Sequence, residues 1–145
     1  MNKVFFNAED IAMPLNKNEL EVFALSVLEW LGQKNQEVSV LFCSNRYIKS
    51  LNARYRNMDE PTDVLSFPLE EKIPGGRCLA GDIVISLDAL EENARLFGVD
   101  AGEELRRLLV HGMLHLSGQD HATNRAEEPM LKMQEEILAS LSEKV

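Results

Sequence analysis

The sequence predicts an α+β fold: a single domain in which a small mixed sheet of about four strands packs with about five helices. Three observations support this prediction. The chain has 145 residues, 45% of them hydrophobic, with only 8 glycines and 5 prolines, which suits one compact domain over residues 1–145. It contains no internal repeat, low-complexity tract or dividing linker. Segments with helical spacing of apolar residues alternate with short strand-like segments, a combination typical of α+β proteins.

The amino-terminal part of the chain predicts two strands and two helices. Residues 4–6 are a weak strand candidate, and the β-branched segment at 38–42 is a stronger one. Segment 15–32 has apolar residues at helical spacing, with Asn16 or Asn18 as cap and Gly32 as stop, which predicts a core-packing helix. A second helix is predicted over residues 44–56, with Ser44 or Asn45 as its cap. The residues expected to share its apolar face are Ile48, Leu51 and Tyr55.

Two further strands and a third helix are predicted in the middle of the chain. Segments 63–68 and 81–86 have strand composition, and the loop between them contains a proline and two glycines at 74–76. Ser86 can cap the third helix, which Gly98 then ends.

The last two predicted helices differ in their surroundings. Asp100 and Glu103 have the spacing of a capping box and open the fourth helix. After about two turns, apolar residues cover nearly its whole circumference, which indicates a central helix surrounded by protein. The fifth helix is amphipathic and is predicted over residues 124–141, with Asn124 and Glu127 at capping-box spacing.

The composition limits the class of protein. No apolar run approaches the ~20 residues that a membrane span needs, and Asn7, Glu9 and Asp10 interrupt the apolar amino terminus, unlike a signal peptide. Cys43 and Cys78 are far apart and lack CxxC spacing, so buried thiols in a reducing compartment are expected rather than a disulfide or a cysteine metal site. We therefore expect a soluble, cytoplasmic protein with no membrane partner.

The charge distribution predicts one basic patch on an acidic protein. The net charge of −9 would ordinarily argue against nucleic-acid binding, which requires clustered Lys and Arg. However, no acidic residue occurs between Val38 and Met58. The cations in the second half of that window are Arg46, Lys49, Arg54 and Arg56.

The segment HGMLHLSGQDH at 111–121 contains all three histidines of the chain. His111 and His115 are four residues apart, so on a helix they lie on one face and can bind the same metal ion. Gly118 can take the positive φ that turns the chain back, which lets His121 supply a third nitrogen. Three imidazoles with an open fourth position are typical of catalytic zinc. Zinc is the expected metal, and ligand type alone leaves nickel, iron and copper open.

Two neighbours of the histidines affect the interpretation. The same spacing occurs in HExxHxxGxxH metalloproteases, where the glutamate is the general base. Gly112 stands at that position here, and losing a positioned base costs ~10²–10⁴-fold in rate, so a peptidase is disfavoured. RNA carries its own nucleophile in the 2′-hydroxyl, which makes the missing base less costly. Asp120 remains open as a further ligand or as a residue that orients a histidine.

Two blocks of sequence resemble one family. HGMLHLSGQDH is similar to the HGxLHLxGxDH signature of the YbeY family of rRNA-maturation endoribonucleases, and LNARYRNMDEPTDVLSFP at 51–68 is similar to that family's LNxxYRxxxxPTDVLSFP segment. AGDIVIS and MLKMQEEIL agree with further family segments. The resemblance covers most of the chain from about Leu51 onward, and its two main blocks are independent.

The resemblance implies a metal-dependent, single-strand-specific endoribonuclease that helps process the 3′ end of 16S rRNA in ribosome maturation and quality control. It places one Zn²⁺ on His111, His115 and His121, and it makes Arg56 the functional arginine. Its partners would be ribosomal RNA and the ribosome or ribosomal proteins. The oligomeric state stays open.

The remaining polar candidates receive smaller roles. Arg56 has the planar fork of donors that pairs with phosphate, although an exposed helix-face arginine was an equal alternative on sequence alone. Arg46 and Lys49 are weaker candidates for phosphate contacts. Glu104 lies two turns before the histidines on the same face, where a surface salt bridge is expected. Structural roles at a strand start are expected for Thr62, Asp63 and Ser66.

Two other functions compete with a nuclease. A non-enzymatic ribosome-assembly factor would use its zinc structurally, and a fourth protein ligand such as Asp120 would favour it. A metallopeptidase would need a glutamate from elsewhere in the chain beside the metal.

Overall fold

A computed structural model describes residues 1–14, 16–121, 125 and 127–142 of the chain. Within these residues the chain forms four strands and five helices. In order they are β1 (Lys3–Ala8), α1 (Lys17–Trp30), β2 (Gln36–Cys43), α2 (Asn45–Arg56), β3 (Val64–Ile73), β4 (Arg77–Ser86), α3 (Leu87–Phe97), α4 (Ala101–Leu116) and α5 (Pro129–Ser142).

The four strands form one mixed sheet in the order β1-β2-β4-β3. β1, β2 and β4 run parallel, whereas β3 pairs antiparallel with β4 as a hairpin. The helices that follow β1 and β2 make the crossovers that parallel strands require. The predicted α+β fold class, with its small mixed sheet and five helices, is therefore confirmed.

Helices cover both faces of the sheet, and α4 lies at the centre of the larger core. That core joins β1, β2 and β4 with α1, α3, α4 and α5. A smaller cluster on the opposite face lies under α2 and contains Cys43, Ile48, Leu65 and Val84. Nine of the sixteen residues of α4 are buried, as expected for a helix surrounded by protein. No helix in the described ranges is long and apolar enough to cross a membrane.

Local side chains fix the starts of the first four helices, as predicted. Asn16, Ser44, Ser86 and Asp100 have extended backbone at the N-cap, and each side-chain oxygen accepts a hydrogen bond from a backbone N–H of the first turn. Such bonds satisfy donors that have no partner within the helix. Gly98 ends α3 in the left-handed conformation, with φ of 68°.

The fifth helix begins later than predicted. α5 starts at Pro129, whereas the predicted start was residue 124 and Glu127 lies in a turn. Proline has no N–H to donate and clashes with the preceding turn, so it is tolerated at the first helical position and not in a helix interior. The predicted cap, Asn124, lies outside the described residues.

Two strand boundaries and one side chain also differ from the predictions. β3 and β4 extend to either side of a three-residue turn at 74–76, because hairpin pairing continues beyond the apolar segments. A bulge between Pro68 and Glu71 interrupts the pairing.

Tyr55, predicted on the apolar face of α2, is 60% exposed, whereas Ile48 and Leu51 pack as predicted.

Candidate metal centre and cleft

The three histidines converge at the carboxyl end of α4. His111 and His115 lie in its last two turns, and Gly118 adopts φ of 98° just beyond it. That positive φ turns the chain back and brings His121 to the same place. One ring nitrogen from each residue can be chosen so that all three lie within 4.8 Å of one another. The described residues provide no further His, Cys, Asp or Glu in this group.

Hydrogen bonds orient two of the three rings. The Nδ1 atom of His111 is 2.7 Å from Oε1 of Gln134, and Nδ1 of His115 is 3.0 Å from the carbonyl oxygen of Gln119. A carbonyl oxygen only accepts, so Nδ1 of His115 carries the proton. The Gln134 amide nitrogen donates to Oε2 of Glu135 at 3.0 Å, which turns its oxygen toward His111. Both rings therefore donate from Nδ1.

This arrangement suits a metal ion. Because Nδ1 carries the proton in both rings, the two Nε2 atoms present lone pairs to each other at 3.2 Å. Two lone pairs at that distance repel unless a cation lies between or beside them. The chemistry of the site, with neutral nitrogen ligands and oxygens that fix the tautomer, matches metal-binding imidazoles. The three histidines could therefore hold a metal ion.

Burial favours the neutral form of the His111 and His115 imidazoles. It lowers the pKa of His111, and the Gln134 hydrogen bond only partly opposes this effect. Burial also lowers the pKa of His115, with a further contribution from His111. Neutral imidazole is the form that binds metal.

A partly buried polar network extends from His111 along α4. Gln134, which is 7% exposed, contacts Glu135, and Arg107 donates to both carboxylate oxygens of Glu135 at 3.0 Å. Arg107 also donates to Glu104 at 3.3 Å. Glu104 thus forms a salt bridge, but the prediction that it lies on the surface is wrong, because the residue is only 2% exposed.

Burying Glu104 disfavours the charged form of its carboxyl group. Burial raises the pKa of this carboxyl despite the hydrogen bond from Arg107. Asn93 of α3 donates to it at 3.4 Å and to Asp63 at 3.1 Å, so the network joins three elements. This side of α4 lies in the interior because α3 and α5 cover it. Helical periodicity alone could not reveal that.

The histidines lie in an open cleft of about 1100 Å³ between the end of α4 and the segment from α2 to β3, hereafter the histidine cleft. Arg56 and Tyr55, from the last turn of α2, also line it. Arg46 and Lys49 are exposed and are not among the residues that line it. The structure thus brings Arg56 to the same cleft as the histidines, and leaves the two weaker candidates outside.

Asn52 holds one wall of this cleft. Its side-chain amide nitrogen donates to the backbone carbonyl oxygen of Glu60 at 2.9 Å, and its backbone carbonyl oxygen accepts from the N–H of Met58 at 3.3 Å. These bonds fix the segment after α2. The residue is 2% exposed, a burial that is unusual for an asparagine and that depends on the folded loop.

The two neighbours of the histidines have clear positions. The Asp120 side chain is 86% exposed, and its Oδ1 lies 4.0 Å from Nδ1 of His115 rather than beside the other nitrogens. Gly112 faces the sheet: a Cβ there would lie 2.8 Å from Cγ2 of Ile83. A glutamate at position 112 would therefore collide with β4, and the glycine is required for the packing of α4.

Residues at the start of β3 form another wall of the cleft. Thr62, Asp63 and Ser66 line it, while Asp63 also supports the fold. Its Oδ1 accepts from the N–H of Val64 at 2.8 Å, and its backbone carbonyl accepts from the N–H of Ser86 at 2.9 Å. These bonds agree with the structural role predicted for this residue.

The sequence did not identify Gln134, Asn52 or Asn93 as parts of the site. Gln134 follows His111 by 23 residues, and its only sequence signal is a polar residue on the apolar face of α5. No local pattern shows which side chain that residue contacts. Its assignment requires the docking of α5 on α4.

Comparisons with known proteins identify the family that this chain resembles. The family model described as "Endoribonuclease YbeY" matches residues 6–142. A protein of Treponema denticola named Endoribonuclease YbeY is 52% identical over 123 residues, covering 82% of this chain and 79% of that protein. One of the same name from Aquifex aeolicus is 42% identical over 129 residues, covering 88% and 85% respectively. A solution structure of a Thermotoga maritima protein matches with a TM-score of 0.65 and 29% identity, over 97% of this chain and 90% of that one.

Proposed function

The chain belongs to the YbeY endoribonuclease family, and we propose that it is a zinc-dependent, single-strand-specific endoribonuclease. Its proposed role is processing of the 3′ end of 16S rRNA in ribosome maturation and quality control. The observation that best supports this function is the convergence of three imidazoles in a cleft that Arg56 also lines.

Different residues of the site would hold the metal and bind the substrate. His111, His115 and His121 would hold one Zn²⁺, which when bound supplies Lewis-acid chemistry toward a phosphoryl oxygen. Within the described residues only these three protein ligands converge, and three ligands suit a catalytic rather than a structural ion. The carbonyl oxygens of Gln134 and Gln119 keep the proton on Nδ1 of two rings, so the Nε2 atoms stay free.

Arg56 supplies the positive charge for the scissile phosphate. Its guanidinium is always charged, and its planar fork of donors matches two phosphate oxygens. Charge on those oxygens increases as the phosphodiester bond is cleaved, so a cationic donor bound to them stabilises the transition state more than the ground state. The nucleophile is part of the substrate if the 2′-hydroxyl attacks. This makes the absence of a glutamate at position 112, where Ile83 leaves no space, less costly, and the proton of the 2′-hydroxyl passes to another group in the cleft.

The proposed partners are ribosomal RNA and the ribosome or ribosomal proteins, in the cytoplasm. Two observations are consistent with a reducing compartment: Cys43 and Cys78 are both free thiols, and Cys43 is buried. The cations of α2 supply a local surface for RNA on a chain whose 24 acidic residues outnumber its 15 Lys and Arg residues.

The decisive experiment incubates zinc-loaded protein with single-stranded rRNA fragments and, in parallel, with unstructured peptides. Wild type is compared with His115→Ala and Arg56→Ala. We expect the wild type alone to cleave RNA efficiently, with a loss of about 10²-fold or more for Arg56→Ala. Equal cleavage by all three proteins would identify a contaminating nuclease and refute the assignment. Cleavage of peptides would favour a metallopeptidase. Zinc-stabilised RNA binding without cleavage would favour the non-enzymatic assembly factor.

A further inference from the structure

Tyr55 and Phe67 form a ridge between two clefts, hereafter the aromatic ridge. One is the histidine cleft, and the other is a shallower cleft of about 430 Å³ on the open part of the sheet face beside α2. Both rings line both clefts. A chain that leaves the histidine cleft toward the sheet therefore crosses this ridge.

The Tyr55 ring is held in place although it is exposed. Its centroid lies 5.3 Å from that of Phe67, at an interplanar angle of 68°, which is the edge-to-face geometry that aromatic pairs prefer. Phe67 in turn packs against the buried cluster under α2. The residue as a whole is nevertheless 60% exposed. A fixed and accessible aromatic surface loses little entropy when a flat ligand covers it.

Two arginines adjacent to Tyr55 in the chain are placed to bind a phosphate group. The guanidinium carbon of Arg54 lies 5.9 Å from the centroid of the Tyr55 ring, and Arg56 follows on the side of the histidine cleft. Among the described residues, neither arginine has an ion-pair partner within 4.0 Å. On the far side of the ridge, the sheet offers the polar side chains Asn7, Ser39 and Asp82 and no cation.

This combination fits a nucleotide better than a phosphate alone or an apolar peptide. Proteins that bind single-stranded nucleic acid combine cations along the backbone with aromatic rings on which bases stack. A base on Tyr55 would place its phosphate toward the arginines and its polar edge toward the uncharged and acidic groups of the sheet. An apolar peptide would leave both arginines without a counterion.

We propose that Tyr55 is the stacking platform of a nucleobase subsite for single-stranded RNA. It binds a base that flanks the scissile nucleotide, and Arg54 contacts the adjoining phosphate. This inference rests on the proposed function, because it names where the substrate strand leaves the histidine cleft. Tyr55 contributes binding and not chemistry, so its loss affects KM and leaves kcat in place.

The test measures KM and kcat for a single-stranded RNA of about ten nucleotides with Tyr55→Ala, Tyr55→Leu and Tyr55→Phe. Stacking predicts that KM rises about 5- to 150-fold in the alanine variant, less in the leucine variant, and about twofold or less in the phenylalanine variant. Tyr55→Leu keeps an apolar contact with Phe67, so it tests the ring if the alanine variant is unstable. Phe97→Ala is the matched control, because Phe97 is 66% exposed on α3 and lines neither cleft.

A second readout needs no cleavage. Trp30 is the single tryptophan of the chain, so Tyr55→Trp in a Trp30→Phe background reports on the ridge alone. We expect its fluorescence to be quenched when RNA is added without metal, whereas Phe97→Trp in the same background should not respond. The subsite is overturned if the wild type cleaves RNA but Tyr55→Ala and Tyr55→Leu keep its KM and the new tryptophan is unaffected. Failure of the wild type to bind or cleave RNA would instead refute the proposed function itself.

Discussion

Replacing Gln134 with leucine should weaken zinc binding although Gln134 is not a metal ligand. Its Oε1 accepts a 2.7 Å hydrogen bond from Nδ1 of His111, and both groups are largely buried. In Gln134→Leu the Nδ1–H loses its acceptor, and an unsatisfied buried donor costs about 1–3 kcal/mol. The His111 ring can escape this cost by changing its tautomer or orientation, and either change withdraws Nε2 from the metal. Residues that orient ligands in this way are worth about 10–100-fold in metal affinity, which is the loss expected here.

Gln119 provides a matched control of the same residue type. Nδ1 of His115 bonds to the backbone carbonyl of Gln119 at 3.0 Å, so Gln119→Leu keeps that acceptor and should keep wild-type affinity. The assay is competition for Zn²⁺ against a chromophoric chelator, with thermal unfolding to establish that both variants fold. Nitrogen-15 chemical shifts of the His111 ring would report the tautomer directly. Equal zinc affinity in Gln134→Leu and wild type, or an equal loss in Gln119→Leu, would refute the reasoning.

Three further predictions concern stability and reactivity. Gly112→Ala places a methyl group 2.8 Å from Cγ2 of Ile83, so it should lower the free energy of unfolding by about 1–3 kcal/mol. Urea denaturation measures this change, and unchanged stability would show that α4 can shift away from β4. Burial, with a smaller contribution from the negative charges of Asp10 and Asp88, raises the pKa of the Cys43 thiol to about 12. In the native protein, iodoacetamide near neutral pH should therefore modify Cys78 first, and peptide mass spectrometry can determine which cysteine reacts. Burial raises the pKa of Glu104 above its ordinary value of 4.5, so the folded state holds this proton more tightly and the contribution of Glu104 to stability falls as pH rises through that range. Glu104→Gln should therefore gain stability relative to wild type as pH rises above 4.5, and a difference in urea midpoint that stays constant over this rise would contradict the prediction.

Features encoded by neighbouring residues were predictable from the sequence. The caps at Asn16, Ser86 and Asp100 each need only one side chain and a backbone N–H two or three residues away. The metal site is similarly local, because a helix spacing of four residues and one glycine turn bring His111, His115 and His121 together. The identity of the ion and its use remain proposals, since spacing specifies ligands and not the metal they select.

Features that depend on docking were not predictable. Glu104 looks like an exposed helix residue until α3 and α5 cover it, and only then does its pairing with Arg107 become a buried interaction. Tyr55 shows the reverse error, since its spacing on α2 matches Ile48 and Leu51 but the residue remains 60% exposed beside Phe67 of β3. In both cases the periodicity was correct and the extent of the partner surface was unknown.

Gly112 connects the packing of this fold to the chemistry it can support. On sequence alone, the glycine marks the absence of the glutamate base of a metalloprotease. In the structure the Cβ position points at Ile83 of β4 and not into the histidine cleft, so a larger side chain there would separate α4 from the sheet before it could reach a substrate. Close packing on the sheet thus excludes a base at this position on α4. That restriction is less costly for a substrate that carries its own hydroxyl nucleophile, as RNA does, because only a proton has to be removed from a group already held in place, whereas peptide hydrolysis needs a base that both positions and activates a water molecule.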